Sequence, residues 1–204
     1  LTEGVEAVAG ERSTIAEGFS VTHAQILGGT ETFAQAIANA TPSVAEDIYG
    51  VNDASLDPQM DEYDNEGDDA VLSTWSWFKY ADVAVQAGYV SFPLIAALTG
   101  QDVYSSGTGA GITYAVDLWA DDAINVAPFP MIIKMPSKDR DKKIQTLTIG
   151  LYSVQFKPIT FDGPKYKDGL KINYNGRAVP SLIDEKGVAF VDGKRRTGRL
   201  ISTA

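Results

Sequence analysis

The segment KIQTLTIGLYSVQFKPITF, Lys143 to Phe161, constrains the fold more than any other part of the chain. It is long and rich in β-branched residues, the composition of a strand. Ile144, Thr146 and Thr148 fall on one parity, and Gln145, Leu147, Ile149 and Leu151 on the other. A strand with one solvated face alternates apolar and polar residues, whereas here both parities carry apolar side chains. Such a strand must be buried on both faces or must pair within an assembly. An open edge on it would invite pairing with another chain. Ile144, Thr146, Leu147, Thr148, Ile149 and Leu151 are therefore candidates for an inter-subunit strand.

The surrounding sequence extends the β reading. PFPMIIKMP is a compact apolar run between prolines, and SKDRDKK follows as a charged connector. DGLKINYNGRAVPSLIDEKGVAFVDGK adds strands, with turns expected at NG and at DEKG. DVAVQAGYV, Asp82 to Val90, alternates like a strand, and Gly88 marks a bulge. SFPLIAALTG then reads as a helix, with Ser91 as N-cap, Pro93 in the first turn and Gly100 as the C-terminal glycine. A second short helix is expected over Glu31–Ala40, capped by Thr30 or Thr32 and ended by Pro42, and a helical turn or two over Asp117–Asn125. The class is mainly antiparallel β with one or two short helices and long loops. The 204 residues suit a single domain, with an irregular N-terminal segment to about residue 43 and an inserted loop region at about 101–128.

Charge is distributed unevenly. Residues 1–102 hold 17 acidic and 2 basic side chains, a balance of −15, while residues 103–204 hold 10 acidic and 15 basic, a balance of +5. A subunit with this dipole attracts its own copies head to tail. The net charge of −10 disfavours a generic nucleic-acid binder, because phosphate contacts need a basic footprint. The densest part is DPQMDEYDNEGDD, with Asp57, Asp61, Glu62, Asp64, Glu66, Asp68 and Asp69 and no Lys or Arg. Pro58, Asn65 and Gly67 mark it as loop. It runs directly into the aromatic AVLSTWSWFKY.

The usual chemical motifs do not form. Aligning Gly67 with the glycine of a calcium-binding loop puts Glu62, Asp64 and Glu66 at ligand positions, but Ser73 where a bidentate Glu is needed. Any two of 27 acids could make a hydrolytic carboxylate pair, so that signal carries no information. His23 is the only histidine and has no nucleophile elbow to serve, and two-histidine metal sites are impossible within one chain. The chain has no cysteine, which removes disulfides, thiolate catalysis and zinc–cysteine sites and fits a reducing compartment. GTGAGI lacks the Walker lysine and the remaining glycine of a dinucleotide fingerprint, so SSGTGAG reads as a hairpin or loop. Trp75, Trp77 and Phe78 of TWSWF suit core packing or a subunit interface better than a sugar platform. No apolar run is long enough to span a bilayer, and LTEGVEAVAGERS lacks the basic and apolar regions of a signal peptide, which sets cytoplasmic synthesis as the expectation. No catalytic residue, cofactor or metal site is assigned.

The order of segments carries a resemblance. A strand followed by FPLIAALTG, a long loop, PFPMIIKMPSKDRDKKIQTLTIGLYSVQFKPITFDGP and then KYKDGLKINYNGRAVPSLIDEKG resembles the major tail tube proteins of long, non-contractile-tailed double-stranded DNA bacteriophages, over roughly residues 44–200. The resemblance implies a β-sandwich or partly open barrel with a packed helix, and a virion protein without enzymatic activity. Its copies would join sheets edge to edge in hexameric rings that stack head to tail into a tube. Implied partners are the chain itself, the tape-measure protein, and the tail terminator and distal tail proteins. DNA would pass through the lumen without specific binding, and the tail would assemble in the host cytoplasm. On this reading the acidic segment is an inter-subunit loop or a lumen lining. The loop is favoured, since a lining comes more naturally from strands.

Two other classes remain open on the sequence. One is a capsid-decorating or glycan-adhesive β-module using Trp75 and Trp77, recognisable by saturable glycan binding. The other is a carboxylate-dependent hydrolase, recognisable by a bell-shaped pH–rate profile. Neither needs the charge dipole or the two-faced strand.

Overall fold

Strand-forming sequence dominates the chain, and the expected mainly antiparallel β architecture is what forms. The computed structural model describes residues 23–27, 32–38, 46–48, 51–67, 70–108, 111–118, 127–138, 144–165 and 169–203. The strands are β1 (His23–Ile26), β2 (Glu46–Ile48), β3 (Val51–Gly67), β4 (Ala70–Ala87), β5 (Val103–Ser106), β6 (Thr113–Val116), β7 (Phe129–Lys138), β8 (Ile144–Phe156), β9 (Thr160–Lys165), β10 (Gly169–Ala178) and β11 (Gly198–Thr203). Helix α1 covers Phe33–Ala38 and α2 covers Phe92–Thr99.

The main sheet has the order β2-β1-β7-β8-β10-β4-β3, with β11 added on β8 and β9 on β10; β5 and β6 form a separate hairpin. Strands β2 and β3 lie at opposite ends of that order, yet only residues 49 and 50 separate them in sequence. Three Cα steps span at most about 11 Å. The two ends must therefore approach to roughly the spacing of packed sheets, about 10 Å. The sheet rolls over on itself as a sandwich that is not closed into a barrel.

The rolled interior holds the main core. Alternate residues of β4 (Ala81, Val83, Val85, Ala87), Met131 and Ile133 of β7, Leu151 and Val154 of β8, and Ile172 and Tyr174 of β10 are buried there with Leu94, Ile95 and Leu98 of α2. Helix α2 has the termini its sequence encodes: Ser91 Oγ accepts from the Leu94 N–H at 3.3 Å, and Gly100 takes a left-handed φ of 70°. A second cluster lies on the opposite face of β7 and β8, where Leu27, Phe33, Ile132 and Tyr152 pack together with Phe190 and Ile201 against them. Gly150 makes room for it, because a Cβ there would meet the Phe33 ring at 2.6 Å.

The two-faced segment of the sequence is thus buried on both faces, one of the two expected outcomes. As for the candidate inter-subunit strand, most of both edges of β8 is already paired within the chain. Residues 144–154 of β8 pair with β7, and the other edge is taken by β11 along Thr146–Leu151 and by β10 at Val154–Phe156. Among the described residues the start of β8, Ile144 and Gln145, keeps an unpaired side. The strand stops at Phe156 rather than Phe161, since Pro158 has no N–H for the ladder. The NG dipeptide at Asn175–Gly176 is not a turn: it lies mid-strand in β10, paired with Ala84 and Val83. A Cβ on Gly176 would meet the Gln155 carbonyl oxygen at 2.9 Å, so this glycine permits close strand approach. Gly88 ends β4 rather than bulging it. The DEKG turn forms as expected, with Gly187 at φ 80° and its N–H donating to the Asp184 carbonyl at 3.0 Å. SSGTGAG joins β5 to β6 as a hairpin, with Gly107 at φ 98°. The connector at 139–143 and most of the expected turn at 117–125 lie outside the described residues.

Candidate assembly surface

The sequence placed the acidic segment in a loop. It is strand: Asp57, Asp61, Glu62, Asp64 and Glu66 all belong to β3, while Asp68 and Asp69 lie outside the described residues. Strand β3 is the end of the sheet order and, among the described residues, pairs only with β4. On an edge strand, proline and carboxylates are tolerated because the outward N–H groups need no ladder partner, and charge there discourages fortuitous pairing. The residues that mark a loop also suit a solvated edge.

Among the described residues, much of this hairpin extends beyond the rest of the sheet. Strand β10 accompanies β4 only as far as the pair Ala178–Ala81, whereas β3 and β4 stay paired from Gln59–Tyr80 out to Gly67–Ala70. The nine residues from Gln59 to Gly67 make an arm about 30 Å long at the usual rise per residue. Register shifts after Gln59 and after Asn65 add twist to it. The pairs Asp61–Trp77 and Tyr63–Trp75 lie in alternate positions of the register, so these four residues share one face. Tyr63, Trp75 and Trp77 are 60%, 66% and 50% exposed, which excludes core packing for the two tryptophans. Met60, on the other face, is 51% exposed.

The base of the arm is pinned electrostatically. Asp57 and Asp82 stand opposite each other, an unfavourable cross-strand pair. Asp82 is compensated by Arg177 at 3.6 Å and Lys157 at 3.7 Å, and the Arg177 guanidinium lies 4.6 Å from the centre of the Tyr80 ring. Further out, Lys79 pairs with Asp61 at 3.1 Å; both are substantially exposed, so this contact contributes little to stability.

A second feature, which the sequence did not signal beyond its DEKG turn, lies between β10 and β11. Residues 179–197 leave the sheet as an excursion closed by the Ser181–Arg196 and Ile183–Ala189 bridges. Beneath it is a cleft of about 460 Å³ lined by residues including Val188, Phe190, Val191, Arg196 and Arg199. Its carboxylates are engaged locally. Asp184 accepts from the N–H groups of Lys186 and Val188 at 2.9 and 2.8 Å, and Glu185 from the Phe33 N–H at 3.3 Å. Asp192 accepts from Arg196 at 2.8 Å, a hydrogen bond that holds its carboxyl below the usual range. The Arg196 guanidinium also lies 4.7 Å from the centre of the Phe190 ring. Among the described residues Arg199 pairs with no carboxylate. Tyr152 packs edge-on against Phe190, and among the described residues its buried hydroxyl makes no close hydrogen bond, with Arg199 the cation that acts on it. Burial raises the Tyr152 pKa, and Arg199 opposes that shift.

Among the described residues no group of three or more His, Asp or Glu side chains could hold a metal ion. Among the described residues no helix is long and apolar enough to cross a membrane. No protein-family model matches the chain, and no curated protein is significantly similar to it.

Proposed function

We propose that the chain is a structural, non-enzymatic subunit that polymerises as stacked rings into the tail tube of a long-tailed DNA bacteriophage. The observation that carries this reading is the β3–β4 arm. A two-stranded ribbon on its own is marginally stable in water, and this one leaves two tryptophans, a tyrosine and a methionine at least half exposed. Such a ribbon gains stability from a partner surface, and exposed aromatic residues are enriched where proteins meet.

The rest of the molecule fits assembly. The unpaired edge of β3 and the three-residue edge strand β2 are positions where a neighbouring sheet could join. Contacts between two different surfaces of identical subunits generate rings or filaments. With a net charge of −10, the assembled wall would repel phosphate and form none of the counterion-releasing contacts that would hold DNA in transit. The tape-measure, terminator and distal tail proteins are the further partners this role requires.

Sedimentation velocity at rising concentration tests the reading: a shift from monomer to large, heterogeneous species is expected. A monomer at every concentration, in low and in high salt, would count against it. A second reading draws on the shared face of Asp61, Tyr63, Trp75 and Trp77, which pairs stacking surface with a hydrogen-bonding group as a glycan-binding module does. Saturable binding to a glycan array by a chain that stays monomeric would favour that alternative.

A further inference from the structure

We infer that the tyrosine surface at the start of α2 and on the β5–β6 hairpin of one copy seats the aliphatic, basic excursion between β10 and β11 of a second copy. This rests on the self-assembly proposed above and names two surfaces that meet in it.

The first surface is left open by the fold. In the hairpin register Val103 pairs with Val116 and Ser105 with Tyr114, so Val103, Tyr114 and Val116 share one face. That face turns towards α2: the centres of the Tyr114 and Phe92 rings are 6.3 Å apart, and Val116 packs on the main core. Helix α2 covers it only in part. Tyr114 stays half exposed, and Val103 is exposed, as are Tyr89 and Val90 just ahead of the helix. At roughly 200 Å² per aromatic ring and somewhat less per valine, these four leave about 350 Å² in water, the scale of patches that mark contact sites. The surface also lacks cations, since no lysine, arginine or histidine lies between Lys79 and Lys134. Asp102 and Asp117 flank the Val103–Val116 pair at the base of the hairpin, both exposed. Among the described residues neither has an ion-pair partner, so an arriving cation relieves two like charges on adjacent strands.

The second surface has the opposite character. The excursion exposes Leu182, Ile183, Val188 and Val191, and Val191, in the turn from Phe190 to Gly193, stands wholly in solvent. From Asp184 to Arg199 the chain carries five basic and three acidic side chains, a local excess of positive charge on a molecule of net charge −10. Asp192 is paired with Arg196, while Asp184 and Glu185 are half-buried and accept from backbone N–H groups. Among the described residues Lys186, Lys194 and Arg195 are exposed and have no ion-pair partner. The β3–β4 arm is a poorer seat for these cations, because it brings its own, Lys79, already paired with Asp61.

Position makes this a contact between copies. Helix α2 packs in the rolled interior with β7 and β8, whereas the excursion packs through Phe190 on their opposite face. The two surfaces therefore meet only between molecules. Being different, they leave one of each free at the ends of a row, so the contact closes a ring or propagates. Apolar burial supplies the affinity, and the opposed charges set partner and orientation.

A charge exchange tests the pairing. The excursion variant is Lys194→Glu/Arg195→Glu and the hairpin variant is Asp102→Lys/Asp117→Lys, all at exposed positions. A third variant, Val191→Asp, alters a side chain that stands free of the folded monomer. Circular dichroism checks that each is folded, and light scattering in low salt follows assembly. Each variant alone is expected to need at least tenfold more protein to assemble than the wild type. An equimolar mixture of the two charge variants is expected to recover assembly, since reversed excursions then meet reversed hairpins and unaltered excursions meet unaltered hairpins. If Val191→Asp or the hairpin variant assembles like the wild type, or if the mixture gains nothing over its parts, this contact is wrong while the proposed function stands. A wild-type chain that remains monomeric throughout removes both.

Discussion

Replacing Trp75 and Trp77 together by serine tests the arm's proposed role in assembly apart from any role in folding. The two indoles are 66% and 50% exposed, so of the roughly 250 Å² each could bury, the pair leaves roughly 300 Å² in water. Burying that area in a contact is worth about 7 kcal/mol at about 25 cal/mol per Å², before the cost of ordering two molecules. Losing half of it, about 3 kcal/mol, weakens association at least a hundredfold. The same exposure limits the effect on the folded monomer to about 1 kcal/mol, the scale of a lost cross-strand aromatic pair. Urea titration of dilute protein should give an almost unchanged midpoint and slope, while light scattering at high concentration shows assembly abolished. Unchanged assembly would refute the argument. So would a fall in monomer stability above about 3 kcal/mol, which would mean that the rings are structural.

Four further outcomes follow from the same physics. Gly150→Ala should cost about 1–3 kcal/mol in urea unfolding, because its methyl group collides with the Phe33 ring that seats α1 on the outer face of β8. Ser91→Ala should cost about 1 kcal/mol by the same measurement, through loss of the α2 cap. Burial pushes the Tyr174 pKa up to about 12 from 10.0, so the folded state keeps a proton that the unfolded chain releases. The stabilisation is full below pH 10, and about 2–3 kcal/mol of it is lost as pH rises from about 10 to about 12. Tyr174→Phe should remove that part of the alkaline decline, measured as urea midpoints across the range. Raising salt from 0.1 to 1 M shortens the screening length from about 10 to about 3 Å, and assembly should then require about tenfold more protein by light scattering.

What could be read from the sequence was what a few residues dictate locally. Ser91, Pro93 and Gly100 specify both ends of α2, and apolar residues on both parities of Ile144–Leu151 left a strand either covered on both faces or paired in an assembly, of which the fold shows the first. What could not be read depended on neighbours distant in sequence. The Asn175–Gly176 pair is the residue choice of a tight turn, yet Gly176 serves the approach of β8, which only the folded sheet reveals. Asp57–Gly67 combines proline, glycine and charge, and these suit an edge strand as well as a loop. Only the partner β4, whose Trp75 and Trp77 alternate along one face, decides between them. The C-terminal cleft escaped notice because its lining, from Asp184 to Arg199, comes together only when the excursion after β10 folds back through isolated bridges that no local pattern announces.

Self-assembly into a hollow tube is the central proposal, and negative-stain electron microscopy of the concentrated wild-type chain in low salt tests it directly. Stacked rings with a continuous central channel are expected, shortening as salt is raised. Small, uniform, dispersed particles at every concentration and salt would contradict it.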